Sequence, residues 1–217
     1  MTDPNIDPSL SDHSAGSGVR WLIAGHPSSS PARVAALFAG NVASCEIAGA
    51  DSEPSSLLVN VDACALVINA KTGVSQEMII FWNYLAERQF PRLVIVNGLE
   101  LSEIDFDDIA MIANRVLEQV VTPFLVLHDD LGEPIGLISL DDLHVHDYSQ
   151  KSFDRYPADQ ELKELITDFR EEYLDQTNGL DDSSLQSGLV VPALPLIESR
   201  GIGIAEIQRY LDLVTRL

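Results

Sequence analysis

The stretch Gly25-His26-Pro27-Ser28-Ser29-Ser30-Pro31 holds the residues best placed for chemistry. It follows an apolar run, Val19 to Ala24, and precedes a helical stretch, Pro31 to Ala39. A strand, a loop and a helix N-terminus together cradle anions, because unpaired backbone N–H groups and the helix dipole both face the loop. Gly25, Ser29 and Ser30 are the candidate nucleotide contacts. The full phosphate-binding pattern is Gly, four residues, then Gly-Lys-Ser/Thr. Counted from Gly25, the last three positions are Ser30, Pro31 and Ala32. The lysine is missing, Ala32 has no hydroxyl for magnesium, and Pro31 has no N–H to donate. A hydrogen bond to a charged group contributes roughly 1.5–3 kcal/mol, and several are lost together. What remains reads as an ordinary capped turn, with weak anion binding at Ser28 to Ser30 as the alternative.

The second candidate is Asn97-Gly98-Leu99-Glu100. Leu93 to Val96 is an unbroken apolar run, as a strand buried on both faces requires. Ligands of open α/β sheets sit at the carboxyl ends of such strands. Asn97 to Glu100, with an amide at one end and a carboxylate at the other, is therefore where chemistry is expected. Other groups carry less. His144 and His146 share a face if their segment is extended, but a metal needs a further ligand, and an exposed strand end is expected. Asp129, Asp130 and Glu133 lack calcium-loop spacing and read as a solvated turn. Cys64 lies in an apolar strand, Cys45 has no base beside it, and Trp21 and Trp82 read as packing. No metal site is expected.

These residues must be held by a regular frame. Strands are expected at Val19–Ala24, Ala43–Ala48, Cys64–Asn69 and through Val96, with short ones at Phe124–Leu127, Ile135–Leu140 and Leu189–Val191. Helices are expected at Pro31–Ala39, with Ser30 as N-cap, at Ser75–Arg88, at Asp105–Val120, around Leu162–Tyr173, and along Ile204, Ile207, Leu211 and Val214. His144 to Tyr156 reads as irregular and Asn178 to Ser187 as a polar loop. Alternating strands and helices predict a doubly wound, mostly parallel α/β sheet. Met1 to Gly18, rich in Ser, Asp, Pro and Gly, reads as a disordered arm.

The 217 residues are enough for one ample core. No apolar run approaches the ~20 residues of a membrane span. Two cysteines without CxxC spacing, and no visible leader, predict a reduced cytoplasmic protein. The net charge is −21, and residues 100 to 182 hold 22 acidic against 5 basic side chains. Such a surface repels phosphates, which argues against nucleic acid, anionic membranes and tight unassisted nucleotide binding. A solubilising surface is the plainer origin of the charge.

The order of segments resembles the GTP-binding domain of elongation factor G and related translational GTPases. Val61-Asp62-Ala63-Cys64-Ala65-Leu66-Val67-Ile68-Asn69-Ala70-Lys71-Thr72-Gly73-Val74 is similar to the strand before that family's "GGVQPQ" turn. Phe90-Pro91-Arg92-Leu93-Val94-Ile95-Val96-Asn97 resembles "VPRIAFVNKMD". Pro123 to Tyr148, with Gly136-Leu137-Ile138-Ser139-Leu140, resembles the family's inserted sub-domain, where "GVVDLV" recurs. Leu196 to Leu213 resembles the closing loop and helix, and His26 fits "AHIDAGKT". The resemblance covers most of residues 19–217 and implies a three-layer P-loop NTPase-like fold, with 123–182 as a reduced inserted sub-domain.

The departures matter as much. The phosphate loop is broken. Too few residues separate Ala39 from Asp62 for the family's first switch region. Its Asp-Thr-Pro-Gly-His motif has no counterpart, Asp51-Ser52-Glu53-Pro54 standing nearest. Its guanine-reading Asn-Lys-x-Asp is Asn97-Gly98-Leu99-Glu100 here. Its Ser-Ala signature is lost among Pro192-Ala193-Leu194-Pro195. Phosphoryl transfer needs a phosphate cradle, a metal and a positioned water. The expectation is therefore a degenerate G domain with no catalytic residue and no cofactor, bound to a protein partner of basic character. A divergent GTP-binding protein and a binder of another small anion are the alternatives.

Overall fold

The computed structural model describes residues 19–48, 53–101, 104–118, 120–150 and 153–214. The expected N-terminal arm, 1–18, lies outside them, as do Asp51 and Ser52. The main sheet is built from β1 (Arg20–Gly25), β2 (Asn41–Glu46), β3 (Ala63–Asn69), β4 (Arg92–Asn97) and β9 (Ala193–Pro195). All are parallel, in the order β2-β1-β3-β4-β9. In β3 and β4 nearly every side chain is buried, because helices cover both faces.

The alternation of the strands sorts the core into two halves. Trp21, Ile23, Ala65, Val67, Leu93, Ile95 and Leu194 point to one face. There they meet α1 (Pro31–Ala35), α7 (Asp182–Gln186) and α8 (Ile204–Val214). Leu22, Cys64, Leu66, Ile68, Val94 and Val96 point to the other. They meet Met78, Phe81, Trp82 and Leu85 of α3 (Gln76–Ala86), and Phe106, Ile109 and Ala113 of α4 (Phe106–Val116). Helix, sheet and helix make the three layers. A one-turn helix, α2 (Pro54–Leu57), precedes β3.

At the foot of β4, opposite the candidate site, Arg92 is buried. Its guanidinium donates to Glu118 Oε1 at 2.7 and 2.5 Å and to Phe90 O at 2.8 Å. This interior strand of the sheet is thus pinned at the end away from the loops.

Between α4 and β9 the chain forms an antiparallel meander of β5 (Phe124–His128), β6 (Pro134–Ser139), β7 (His144–Asp147) and β8 (Asp154–Pro157). It has its own small core of Leu125, Ile138, Leu140, Val145, Ala158 and Ile166. Helices α5 (Gln160–Leu165) and α6 (Thr167–Thr177) follow.

Several expectations need correction. His144–Tyr156 is not irregular: Val145 pairs with Tyr156 and His146 with Arg155, so cross-strand partners override a weak local pattern. The polar stretch Asn178–Ser187 contains α7, started by a capping box between Asp181 and Ser184. The last strand is Ala193–Pro195, not Leu189–Val191. It lies at a sheet edge, where prolines are tolerated, and Leu189 stays 60% exposed. Helix α4 stops at Val116, where Asn114 Oδ1 accepts the Val120 N–H. Among the described residues, no helix is long and apolar enough to cross a membrane.

Candidate functional site

The carboxyl ends of β3 and β4 place Asn69 and Asn97 side by side, and β1 ends beside them with Gly25 level with Val67. After Gly25 the chain tightens into a 3-10 turn, Pro27–Ser29. The loop then satisfies its own donors. Ser28 N–H goes to His26 Nδ1 at 3.2 Å, Ser29 N–H to His26 O at 2.8 Å, and Ser30 N–H to Pro27 O at 3.0 Å. Accepting at Nδ1 assigns the His26 ring proton to Nε2. Ser29 Oγ donates to His26 O at 2.7 Å, and Ser28 Oγ lies 2.9 Å from Thr72 Oγ1. Ser29 is buried directly beneath the strand end. A Cβ on Gly25 would fall 2.5 Å from Ser29 Oγ and 2.6 Å from Val67 O.

Two strand-end amides hold this loop in place. Asn97 is buried, and its Nδ2 donates to Ser29 O at 2.8 Å. Asn69 Nδ2 donates to Ser28 O at 3.3 Å, while its Oδ1 accepts the Lys71 N–H at 3.0 Å. Asn97 Oδ1 is buried without a partner among the described residues. Asn69 and Thr72 were not singled out from the sequence. The available signal was that Asn69 ends β3 as Asn97 ends β4.

The other candidate positions separate. Ser30 is not a side-chain N-cap: it is left-handed, φ 50°, ψ 60°, and its hydroxyl makes no cap bond. Capping needs an extended backbone at that residue. Its carbonyl instead accepts from Arg33 and Val34 at 3.0 and 3.1 Å. Helix α1 is only five residues long. Glu100 sits exposed on the turn Leu99–Leu101, whereas Asn97 is inside. Gly98, where the guanine motif has lysine, has φ +75°, and a Cβ there would lie 2.7 Å from Asn69 Nδ2. Nearby, the half-buried Glu77 carboxyl is held below its ordinary value by its own backbone N–H, by Ser75 and more weakly by His26. The residues present do not fit a magnesium-bound triphosphate: the donors are turned inward, and neither a lysine nor a metal-binding hydroxyl stands at the helix start.

A second polar cluster joins the meander to α8. Glu206, 4% exposed, receives His146 Nδ1 at 2.5 Å and the Tyr148 hydroxyl at 3.0 and 2.9 Å. Burial, then the Glu206 charge, push the Tyr148 hydroxyl pKa upward. Phe124 and Phe153 flank the imidazole at 5.5 and 5.7 Å, and His146 Nε2 is buried without a partner among the described residues. His146 is therefore not the exposed strand end expected of it: α8 covers it. Asp129 Oδ1 accepts the N–H groups of Leu131 and Glu133, so that acidic stretch is a self-bonded turn. Burial pushes the Cys45 thiol up to about 11 and raises the Cys64 thiol well above its ordinary value. Among the described residues, no three His, Cys, Asp or Glu side chains are grouped to hold a metal.

The parallel sheet, its two helical layers and the loop after β1 define a P-loop NTPase-like α/β domain. No family model matches the chain. Over 137 residues it is 29% identical to mitochondrial ribosome-releasing factor 2 of Drosophila yakuba, an alignment covering 60% of this chain and 19% of that protein. The Drosophila melanogaster protein of the same name is 26% identical over 138 residues, covering 60% and 18%. The chain thus spans about a fifth of the length of the curated relatives it matches. A solved structure from Thermus thermophilus superposes with a TM-score of 0.66, covering 92% of this chain and 40% of that one at 15% identity. The chain shares that protein's fold and is distantly similar in sequence to the two fly factors.

Proposed function

We propose that this chain is a translation-factor-like G domain that neither hydrolyses GTP nor holds it tightly, and that it serves as a protein-interaction module. The loop after β1 carries the reading. Opening it to a phosphate would break three N–H bonds and two asparagine bonds. At about 1 kcal/mol net each, that is roughly 5 kcal/mol, a thousandfold or more in affinity. No lysine stands at the start of α1 to offset it. Isothermal titration with GTP and GDP in magnesium tests this. No binding below millimolar concentration is expected, and micromolar affinity would overturn the proposal.

The likeness to a factor named for ribosome release makes the ribosome, or a protein bound to it, the leading candidate partner. The acidic stretch from residue 100 to 182 favours a basic protein surface over RNA as the direct contact. Binding should then weaken steeply with salt.

One observation favours a divergent GTP binder instead. Asn97 keeps the strand-end position, and its Oδ1 has no protein partner. That reading predicts that Asn97→Ala and Glu100→Ala each weaken guanine-nucleotide binding, and unchanged affinity removes it. A small-anion site at Ser28–Ser30 would show in a thermal-shift screen of phosphates.

A further inference from the structure

Helix α4 carries two apolar stripes. Phe106, Ile109, Ala110 and Ala113 face the sheet. On the opposite side lie Met111, 57% exposed, and Ile112, 41% exposed, with Ile104 just ahead of the helix. Positions 108, 111, 112 and 115 return at helical steps and share one face, and Ile104 sits at its leading end. The same five residues line a shallow cavity of about 340 Å³. An amphipathic helix needs one apolar face for its own domain, and a second marks a contact with something else.

The charges on this stripe identify the occupant. Asp108 lies three residues before Met111, and Arg115 lies three residues after Ile112. Both are exposed, and neither enters an ion pair among the described residues. We infer that two copies of the chain pack α4 against α4, antiparallel, about a two-fold axis between Met111 and Ile112. That operation sets Asp108 of one copy opposite Arg115 of the other, twice, and Met111 opposite Ile112. A parallel pairing would set like charges together. The self-complementarity is what an isologous interface requires. Helix α4 is about 16 Å long, so the contact falls at or below the ~1,200 Å² of a stable interface. The dimer is weak, with Kd on the order of tens of micromolar or above.

Sedimentation of the full chain from about 1 to 500 µM tests it at 0.15 M salt, where a Debye length of about 8 Å limits repulsion between the two acidic bodies. A concentration-dependent dimer is expected. Met111→Asp, Asp108→Arg and Arg115→Asp should each raise its Kd about tenfold or more, and D108R/R115D together should restore it to within a few-fold. All the changed side chains are exposed, and thermal melts verify that each variant folds. A monomer throughout, a dimer indifferent to Met111→Asp, or a double variant no better than the single ones would overturn the inference.

Discussion

Restoring the guanine motif's lysine should damage the fold before it could help a ligand. Gly98 has φ +75°, and any Cβ there meets Asn69 Nδ2 at 2.7 Å. Holding an L-residue left-handed costs about 1–2 kcal/mol. Moving the Asn69 amide loosens its bonds to Ser28 O and from Lys71 N–H, roughly another 1–2 kcal/mol. Gly98→Lys and Gly98→Ala should therefore both lose about 2–4 kcal/mol, because both penalties begin at Cβ. For a chain of this size that is about 5–15 °C in Tm. A double-mutant cycle isolates the contact. In an Asn69→Ala background, Gly98→Ala should cost only the backbone part, leaving a coupling of about 1–2 kcal/mol. Scanning calorimetry with urea unfolding reads both quantities. A Gly98→Ala variant within 1 °C of the parent, or strict additivity in the cycle, would refute the reasoning.

Two further outcomes follow from buried or bonded carboxylates. Glu206→Ala strips the carboxylate from buried His146 and Tyr148, so urea unfolding should show a loss of about 3–5 kcal/mol. Glu206→Gln should lose less, because it keeps an acceptor for the tyrosine. If Glu206→Ala unfolds at the parent's midpoint, the cluster is not a clasp. The N–H groups of Glu133 and Leu131 hold the Asp129 carboxyl below its ordinary value. With a depressed folded pKa, its contribution is complete above the ordinary carboxylate value of about 3.9 and is lost as pH falls through the folded one. Melts between pH 5 and 2 should therefore fall less steeply for Asp129→Asn, and parallel curves would contradict the turn's bonding.

Much of the frame was legible because its signals are local. The apolar runs at Ala65–Ile68 and Leu93–Val96 announce buried parallel strands, and Ser75 announces α3 by capping it. The missing lysine and hydroxyl after Ser30 were equally plain. What was hidden depends on distant partners. β7 and β8 exist because they pair with each other, and β9 because it pairs with β4 through residues flanked by proline. His146 is buried because Glu206, sixty residues later, reaches it. The left-handed Ser30 and the inward-turned donors follow from Ser29 packing under Gly25, where no side chain would fit. Composition near the loop could not reveal that.

The central claim is that the loop after β1 is closed on itself, and the backbone amides of Ser28, Ser29 and Ser30 report on it directly. They can be followed by nitrogen–proton NMR while GTP and magnesium are added to millimolar concentration. None of the three resonances is expected to move, and Ser29, buried and bonded to His26 O, should exchange its proton slowly. Saturable shifts of all three at micromolar GTP would show the loop opening around phosphate and would contradict the claim.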